Sequence, residues 1–339
     1  MKAKRSNVVN NQRVSLGEVL PLDVPFSLFI DVSNVCNFKC KFCAIQTSEI
    51  KNFNKQVMSW DLYKKIIDDI TQFKKPLKML RLGGQGESLI NKEFPRMIKY
   101  AKDKGVSEHI EIASNASLLT PELSDAIIDA GLNRIRISIE AIDAKGYEEM
   151  SGVKINWNEF MENIKYFYDH RKQCEVYIKT VDAAVKTEEE INLFYKLFED
   201  RCDKISIEHV VPVWAGYNKI YDDFDIEKRE GLHGHAQRDV DICPFPFYSF
   251  VINSDGEVTV CCSDWKRAIS MGNAWTENVC DIWRGEKYKN FLREMIEKGR
   301  INSNSTCAVC QYPIYDAVDH LDSYRERLLS RFDKNERIK

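Results

Sequence analysis

PFSLFIDVSNVCNFKCKFC, residues 25–43, joins two different kinds of sequence. Its first half, PFSLFIDVS (25–33), is apolar and β-prone, the composition of a buried strand. Its second half places Cys36, Cys40 and Cys43 directly behind that strand at C-x3-C-x2-C spacing. Structural zinc sites close with four ligands. A cubane [4Fe–4S] cluster takes four thiolates, so three leave one iron open to a small molecule. Phe42 stands just before the third cysteine and completes the pattern C-x3-C-x-aromatic-C.

Strand-like runs recur downstream: LKMLRLGG (77–84), HIEIAS (109–114), RIRISIE (134–140), CEVYIKTV (174–181) and KISIEHVV (204–211). Helical segments lie between them. One follows Ser59, whose hydroxyl can cap WDLYKKIIDDITQF. FPRMIKYAKDK (94–104) is the next, and Thr120-Pro121 opens another, with proline at its first helical position. A long helix is predicted over roughly 157–171, and Thr187 with Glu190 forms a capping box for the last. Strands alternating with helices predict βα units and a parallel sheet. Right-handed crossovers curl such a sheet toward a barrel, and six units are too few for a closed eightfold one. Parallel barrels carry chemistry at the C-terminal ends of their strands. Cys36, Gly84, Asn115 and Glu140 all fall at or just past such ends.

The chain has 339 residues, 44% of them hydrophobic, and a net charge of −3. That balance gives no electrostatic drive toward nucleic acid or an anionic membrane. No apolar run reaches the length of a transmembrane helix, and MKAKRSNVVNNQRVSLG has basic residues without the apolar core of a signal peptide. Eleven cysteines without a leader point to metal ligation in a reducing, cytoplasmic compartment. The expected organisation is a poorly ordered leader (1–24), a barrel (25–215), a charged linker (216–242), a cysteine-rich unit (243–312) and a helical tail (313–339). In the linker, His233 and His235 read as solvated loop residues.

FYSFVINSDGEVTVCC (247–262) reads as a hairpin about Ser254-Asp255-Gly256. Antiparallel pairing would bring Cys243, just before the first strand, to Cys261 at the end of the second. Cys307 and Cys310 add a close-spaced pair, so four thiolates converge; from spacing alone they suit zinc as well as iron–sulfur. Strand alternation sends Cys262 to the face opposite Cys261. Cys174, Cys202 and Cys280 read as buried small hydrophobes.

The C-x3-C-x-aromatic-C motif resembles that of the radical S-adenosylmethionine (radical SAM) enzymes, and the C-terminal cysteines resemble their SPASM/twitch extension. The resemblance implies a partial (β/α)6 TIM-like barrel of α/β class followed by a small α+β cluster domain. It implies a [4Fe–4S] cluster on Cys36, Cys40 and Cys43 whose open iron holds SAM. It also implies one auxiliary [4Fe–4S] cluster on Cys243, Cys261, Cys307 and Cys310, since no cysteine follows Cys310. Gly84, Gly86 and Glu87 resemble the family segment that receives the amino group of SAM. Asn115 lies in a segment similar to the family's T-N-G-x-x-L-T, with Ala116 in place of glycine. Ser138 and Glu140 share one face of their strand and would reach the SAM ribose and methionine, with Lys179 a candidate for its carboxylate.

The implied activity is reductive cleavage of SAM to a 5′-deoxyadenosyl radical, which takes a hydrogen atom from a substrate. A flavodoxin or ferredoxin would be the reductant. The cysteine spacing is close to the twitch-type dehydrogenases, so the expected reaction is oxidation of a small hydroxylated molecule: a sugar, nucleotide sugar or aminocyclitol. With Cys262 as hydrogen donor the outcome would be epimerisation. Peptide modification is a further alternative, disfavoured by the short segment before the barrel. A non-catalytic zinc-binding protein is the alternative of another class.

Overall fold

The computed structural model describes residues 2–6, 14–46, 54–224 and 230–334. One ten-stranded sheet runs through it. The strands are β1 (Lys4–Arg5), β2 (Ser27–Ile30), β3 (Met79–Leu82), β4 (Ile110–Ser114), β5 (Arg134–Ile139), β6 (Glu175–Val181), β7 (Lys204–Glu208), β8 (Ser249–Ile252), β9 (Glu257–Thr259) and β10 (Ser270–Asn273). β2 to β7 lie side by side in chain order, all parallel, with helices in the connections. These are the six βα units expected.

Alternation gives the sheet its two faces. On β5, Ile135, Ile137 and Ile139 join the hydrophobic core, while Arg134, Arg136 and Ser138 occupy the other face. Register aligns Arg136 with Tyr177, Ser138 with Lys179, and Lys179 with Ser206, so the second face is polar across several strands. The helices begin where their caps say: Ser59 Oγ accepts from Leu62 N–H, Thr120 Oγ1 from Leu123 N–H, and Thr187 with Glu190 closes a reciprocal box.

Two expectations change. The N-terminal segment is tied down over its described part: β1 pairs in parallel with β7, and Leu16 and Leu20 are buried in the core. Apolar Leu16 and Leu20 have more to gain from burial than the flanking polar residues have to lose. The stretch after β7 is not a loose linker either. Tyr217, Tyr221, Val240 and Ile242 are buried, and backbone bonds run from His209 N–H to the Leu232 carbonyl and from Leu232 N–H to the Tyr315 carbonyl. Its described residues form a strap between β7 and the C-terminal region. That region shares the sheet: β8 pairs in parallel with β2, and β9 and β10 continue antiparallel from it.

Candidate functional site

Beyond β2 the chain passes Asp31 and enters the three-cysteine loop. Lys39 and Lys41 N–H groups donate to the carbonyls of Ser151 (2.8 Å) and Met150 (3.0 Å). Those carbonyls end the helix Ala144–Ser151, where the last turn leaves acceptors free. Cys43 N–H donates to the Cys40 carbonyl at 3.0 Å and curls the loop. Phe38 N–H (3.4 Å) and the Asn115 side-chain amide (3.9 Å) both donate to the Cys36 sulfur. Burial pushes the Cys36 thiol up to about 11 and Cys43 up to about 12, and raises Cys40 as well. Such thiols keep their protons until a metal replaces them. The Phe42 ring meets Phe224 edge-on at 6.4 Å, and its carbonyl accepts from Trp214 Nε1 at 3.3 Å. Ala44, Tyr217 and Trp265 form a small buried cluster against Cys43, with the Trp214 and Trp265 rings 4.3 Å apart.

The loops after β3, β4 and β5 stand around this one. Gly84 and Gly86 are required by protein rather than by open space: a Cβ on Gly84 would meet Asp31 Oδ1 at 2.6 Å, and one on Gly86 the Ser33 and Val35 carbonyls at 2.5 Å. Glu87 is buried and its carboxylate is fully engaged. It accepts from Leu89 N–H (3.1 Å), Ser114 Oγ (2.9 Å) and Asn115 N–H (2.8 Å). Its side chain thus ties two loops together. The Asn115 side chain bridges the loops in the other direction, donating to Asn37 Oδ1 at 2.9 Å and accepting from Ser117. Ala116 takes φ +58°, so the turn that glycine makes in similar sequences is made here by alanine.

Ser138 lies on the polar face of β5. Glu140, just past that strand, is buried and hydrogen-bonded to the Cys40 thiol; burial raises its carboxyl to about 7, against the pull of Lys179. Lys179 itself is engaged, with Nζ 2.6 Å from Glu208 Oε2. The sequence did not show this partner, which comes from β7.

Cys243, Cys261, Cys307 and Cys310 line one pocket with Ser263, Arg300 and Thr306. Ser263 N–H donates to the Cys261 sulfur at 3.3 Å, and the Ser263 hydroxyl lies 3.6 Å from the Cys310 sulfur. The buried Arg300 donates to the Val240 and Cys310 carbonyls, and its charge favours the thiolate forms of Cys243, Cys307 and Cys310 against the burial that opposes them. All eleven cysteines are free thiols. Three half-buried thiols, with N–H donors on the Cys36 sulfur, and four others ringing a pocket beside a buried cation, fit thiolate-bound iron–sulfur clusters. Trp265 N–H donates to the Ser263 carbonyl at 3.0 Å, which connects the two thiol sets through one short stretch of chain.

Cys262 departs from expectation. β9 ends at Thr259, so Cys261 and Cys262 lie in a turn and strand alternation does not separate them. Their thiols are hydrogen-bonded to each other, and the charges of Arg81, Asp316 and Asp31 bear on Cys262. His233 and His235 are not solvated: His233 is 8% exposed and lies between Glu208 and Asp316, while His235 packs on Gly231.

Several residues at the site carry signals the sequence reading passed over. Arg81, Arg134 and Arg136 surround the buried Glu111, and Lys179, Arg136 and His233 surround Glu208. Against burial, the lysine and arginine charges hold both carboxylates down to about 2. The period-two charges of RIRIS and EVYIK mark this face. Asp31 is buried at the end of β2, where burial raises its carboxyl to about 7, and Arg267 from the C-terminal region reaches Asp255 and Gln85 beside it.

The radical SAM superfamily model matches residues 30–197, and the iron-sulfur cluster-binding SPASM model matches residues 243–311. The tungsten-containing aldehyde ferredoxin oxidoreductase cofactor-modifying protein of Pyrococcus furiosus is 30% identical over 115 residues, 34% of this chain and 31% of that protein. A probable GTP 3′,8-cyclase of Sulfolobus acidocaldarius is 27% identical over 210 residues, 60% of this chain and 62% of that protein. The chain therefore spans from 31% to 62% of the length of these curated relatives. Among solved structures, Streptococcus suis SuiB bound to precursor peptide SuiA aligns with TM-score 0.62 at 18% identity, over 91% of this chain and 74% of that one. BtrN in complex with AdoMet and 2-DOIA aligns with TM-score 0.56 at 15% identity, over 88% and 96%. At these identities the likeness is one of fold. The two thiol sets fall inside the two matched domains, and the chain belongs to the radical SAM superfamily with a C-terminal SPASM domain, which implies a SAM-bound [4Fe–4S] cluster and an auxiliary iron–sulfur cluster.

Proposed function

We propose that this radical SAM enzyme oxidises a small hydroxylated substrate, a sugar, nucleotide sugar or aminocyclitol, at a carbon bearing a hydroxyl. Cys36, Cys40 and Cys43 hold the first cluster and leave its fourth corner to SAM. Cys243, Cys261, Cys307 and Cys310 hold the second. Bound there, SAM supplies a radical able to remove hydrogen from an unactivated carbon, while the protein supplies position and exclusion of water. Glu140, Ser138 and the backbone of the Gly84–Glu87 segment face the cofactor, with Asn115 fixing the loops between them.

The observation that carries oxidation is the completeness of the second thiol set beside the first. Four thiols with the buried Arg300 next to them suit a site for an electron acceptor. Epimerisation is the second reading, because the Cys262 thiol lies among charges of the barrel face. Its hydrogen bond to Cys261 favours the dehydrogenase, since that contact ties Cys262 to the ligand set.

The test is anaerobic turnover with dithionite against sugars, nucleotide sugars and aminocyclitols deuterated at each carbinol carbon, with a precursor-type peptide pool as a separate arm. Deuterium recovered in 5′-deoxyadenosine together with a ketone product supports the reading. Turnover with peptides alone sinks it. An epimer that disappears in Cys262→Ala, with SAM cleavage retained, would replace it with the second reading.

A further inference from the structure

Oxidation of an alcohol carbon releases a hydrogen atom, an electron and a proton. The first two have destinations in the reading above, and the third does not. His233 supplies one. The strap carries it onto the polar face of the barrel, where Leu232 on its chain side is pinned to both His209 and Tyr315. Its Nε2 lies 3.5 Å from Asp316 Oδ1, and its Nδ1 lies 3.7 Å from Glu208 Oε1. Asp316 is fixed from behind, where its Oδ2 accepts from the Tyr312 hydroxyl at 2.6 Å. Glu208 already accepts from Lys179 (2.6 Å) and Tyr177 (3.1 Å). Nδ1 of His233 is enclosed and has no hydrogen-bond partner among the described residues. Asp316 lies behind Nε2, while Nδ1, with Glu208 at 3.7 Å, makes no hydrogen bond; an imidazole held in this way can serve as an oriented base.

We propose that His233 is the catalytic base of the oxidation, oriented by Asp316. This rests on the dehydrogenase reading. After the carbinol hydrogen atom has left the substrate carbon, the O–H bond breaks and its proton passes to Nδ1 of His233. One electron would pass to an auxiliary iron–sulfur cluster held by Cys243, Cys261, Cys307 and Cys310, and a C=O bond would form. The resting tautomer assigned by this network carries its proton on Nε2, toward Asp316. Once protonated at both nitrogens, the ring would stand between the carboxylates of Asp316 and Glu208, which favours acceptance. Before that, burial holds His233 below the ordinary histidine value, with Arg136 and Lys179 acting in the same direction and Glu208 and Asp316 opposing. The ring is therefore a free base at neutral pH.

The experiment has two arms on the anaerobic holoenzyme. Long-range 1H–15N spectra of protein labelled at histidine give the tautomer and titration of His233, identified by its loss in His233→Gln. A protonated Nε2, a bare Nδ1 and a midpoint below the ordinary histidine value are expected, with a further fall in Asp316→Asn. A protonated Nδ1 or a solvent-like midpoint overturns the assignment. In turnover with whichever deuterated alcohol of the panel is oxidised, His233→Gln should still move deuterium into 5′-deoxyadenosine while ketone falls by roughly 10²-fold or more. Asp316→Asn should give a smaller loss and a shifted pH profile, and it serves also if His233→Gln does not fold. Unchanged ketone formation in both variants overturns the base alone. Deuterium transfer with no ketone from any alcohol, in the unaltered enzyme, overturns the dehydrogenase reading on which it stands.

Discussion

Glu87 shows how a residue in a cofactor-like motif can serve the frame instead of the ligand. Its two oxygens accept from three donors on two loops, all buried. Hydrogen bonds to a charged group are worth about 1.5–3 kcal/mol each, and orphaned buried donors cost about as much. Glu87→Ala should therefore lower stability by roughly 3 kcal/mol or more and release Asn115 from the Cys36 sulfur; a thermal midpoint within a degree of the parent would contradict this. Asp31 makes a prediction about pH. Its folded carboxyl, raised by burial to about 7, binds a proton more tightly than the unfolded one near 3.8. Its contribution is therefore favourable below about pH 4 and is lost as pH rises toward 7. Asp31→Asn, which keeps an acceptor for Gln85 N–H, should stabilise the protein at pH 8 and change little at pH 4. Thermal midpoints at the two pH values give the comparison, and an equal shift at both would remove Asp31 as the cause. Arg300 acts on the second thiol set. At an effective dielectric of about 20, a unit charge is worth about 2 kcal/mol to a group roughly 7 Å away. Arg300→Met should thus lower the auxiliary midpoint potential by roughly 100 mV, read by redox titration with EPR, whereas an unchanged potential would place the charge too far away to matter.

The elements differ in how openly the sequence declares them. β5 and β6 alternate apolar and polar residues over RIRISI and EVYIKTV, so both existence and facing are readable. The capped helices are equally plain, because Ser59, Thr120 and Thr187 each act on their own backbone within a few residues. The helix Ala144–Ser151 declares itself only through its cap, Asp143, whose side chain accepts from Gly146 N–H at 2.7 Å; its carbonyls anchor the three-cysteine loop. The strap was misread for a different reason. Its composition is charged, yet what buries His233 is Asp316, 83 positions away, and Glu208 on β7. Lys179 is alike in this respect, since its partner Glu208 is invisible from β6 alone. The motif cysteines were legible because thiol chemistry restricts their spacing. The pairing of Cys261 with Cys262 was not, because the strand ends at Thr259, two residues sooner than its β-prone run suggests. Local periodicity thus recovers strands and caps, and fails where a side chain's partner arrives from another element.

At the scale of the molecule, the sheet does not stop where the barrel sequence does. β8 pairs along β2 from Ser27–Ser249 to Ile30–Ile252, so the C-terminal region closes the edge that β2 would otherwise expose. Asp31 N–H continues the ladder by donating to the Ile252 carbonyl at 2.8 Å, just before the loop that bears Cys36. The two thiol sets are in this way placed by one sheet, and Trp265 and Ser263 bridge them. Phe247, Phe250, Ile252, Trp283, Tyr288 and Met295 all belong to the main core. At about 1.5–3 kcal/mol for each large apolar side chain buried, these six contribute on the order of 10 kcal/mol. That equals the whole net stability typical of a domain, about 5–15 kcal/mol. A chain ended after Ile242 should therefore not fold as a smaller radical SAM barrel. It should lack a cooperative thermal transition and a dispersed amide spectrum, and should fail to retain iron on Cys36, Cys40 and Cys43 although all three are present. A truncated chain that melts cooperatively and binds SAM would show instead that β2 to β7 form an independent unit, and that the C-terminal strands only adhere to it.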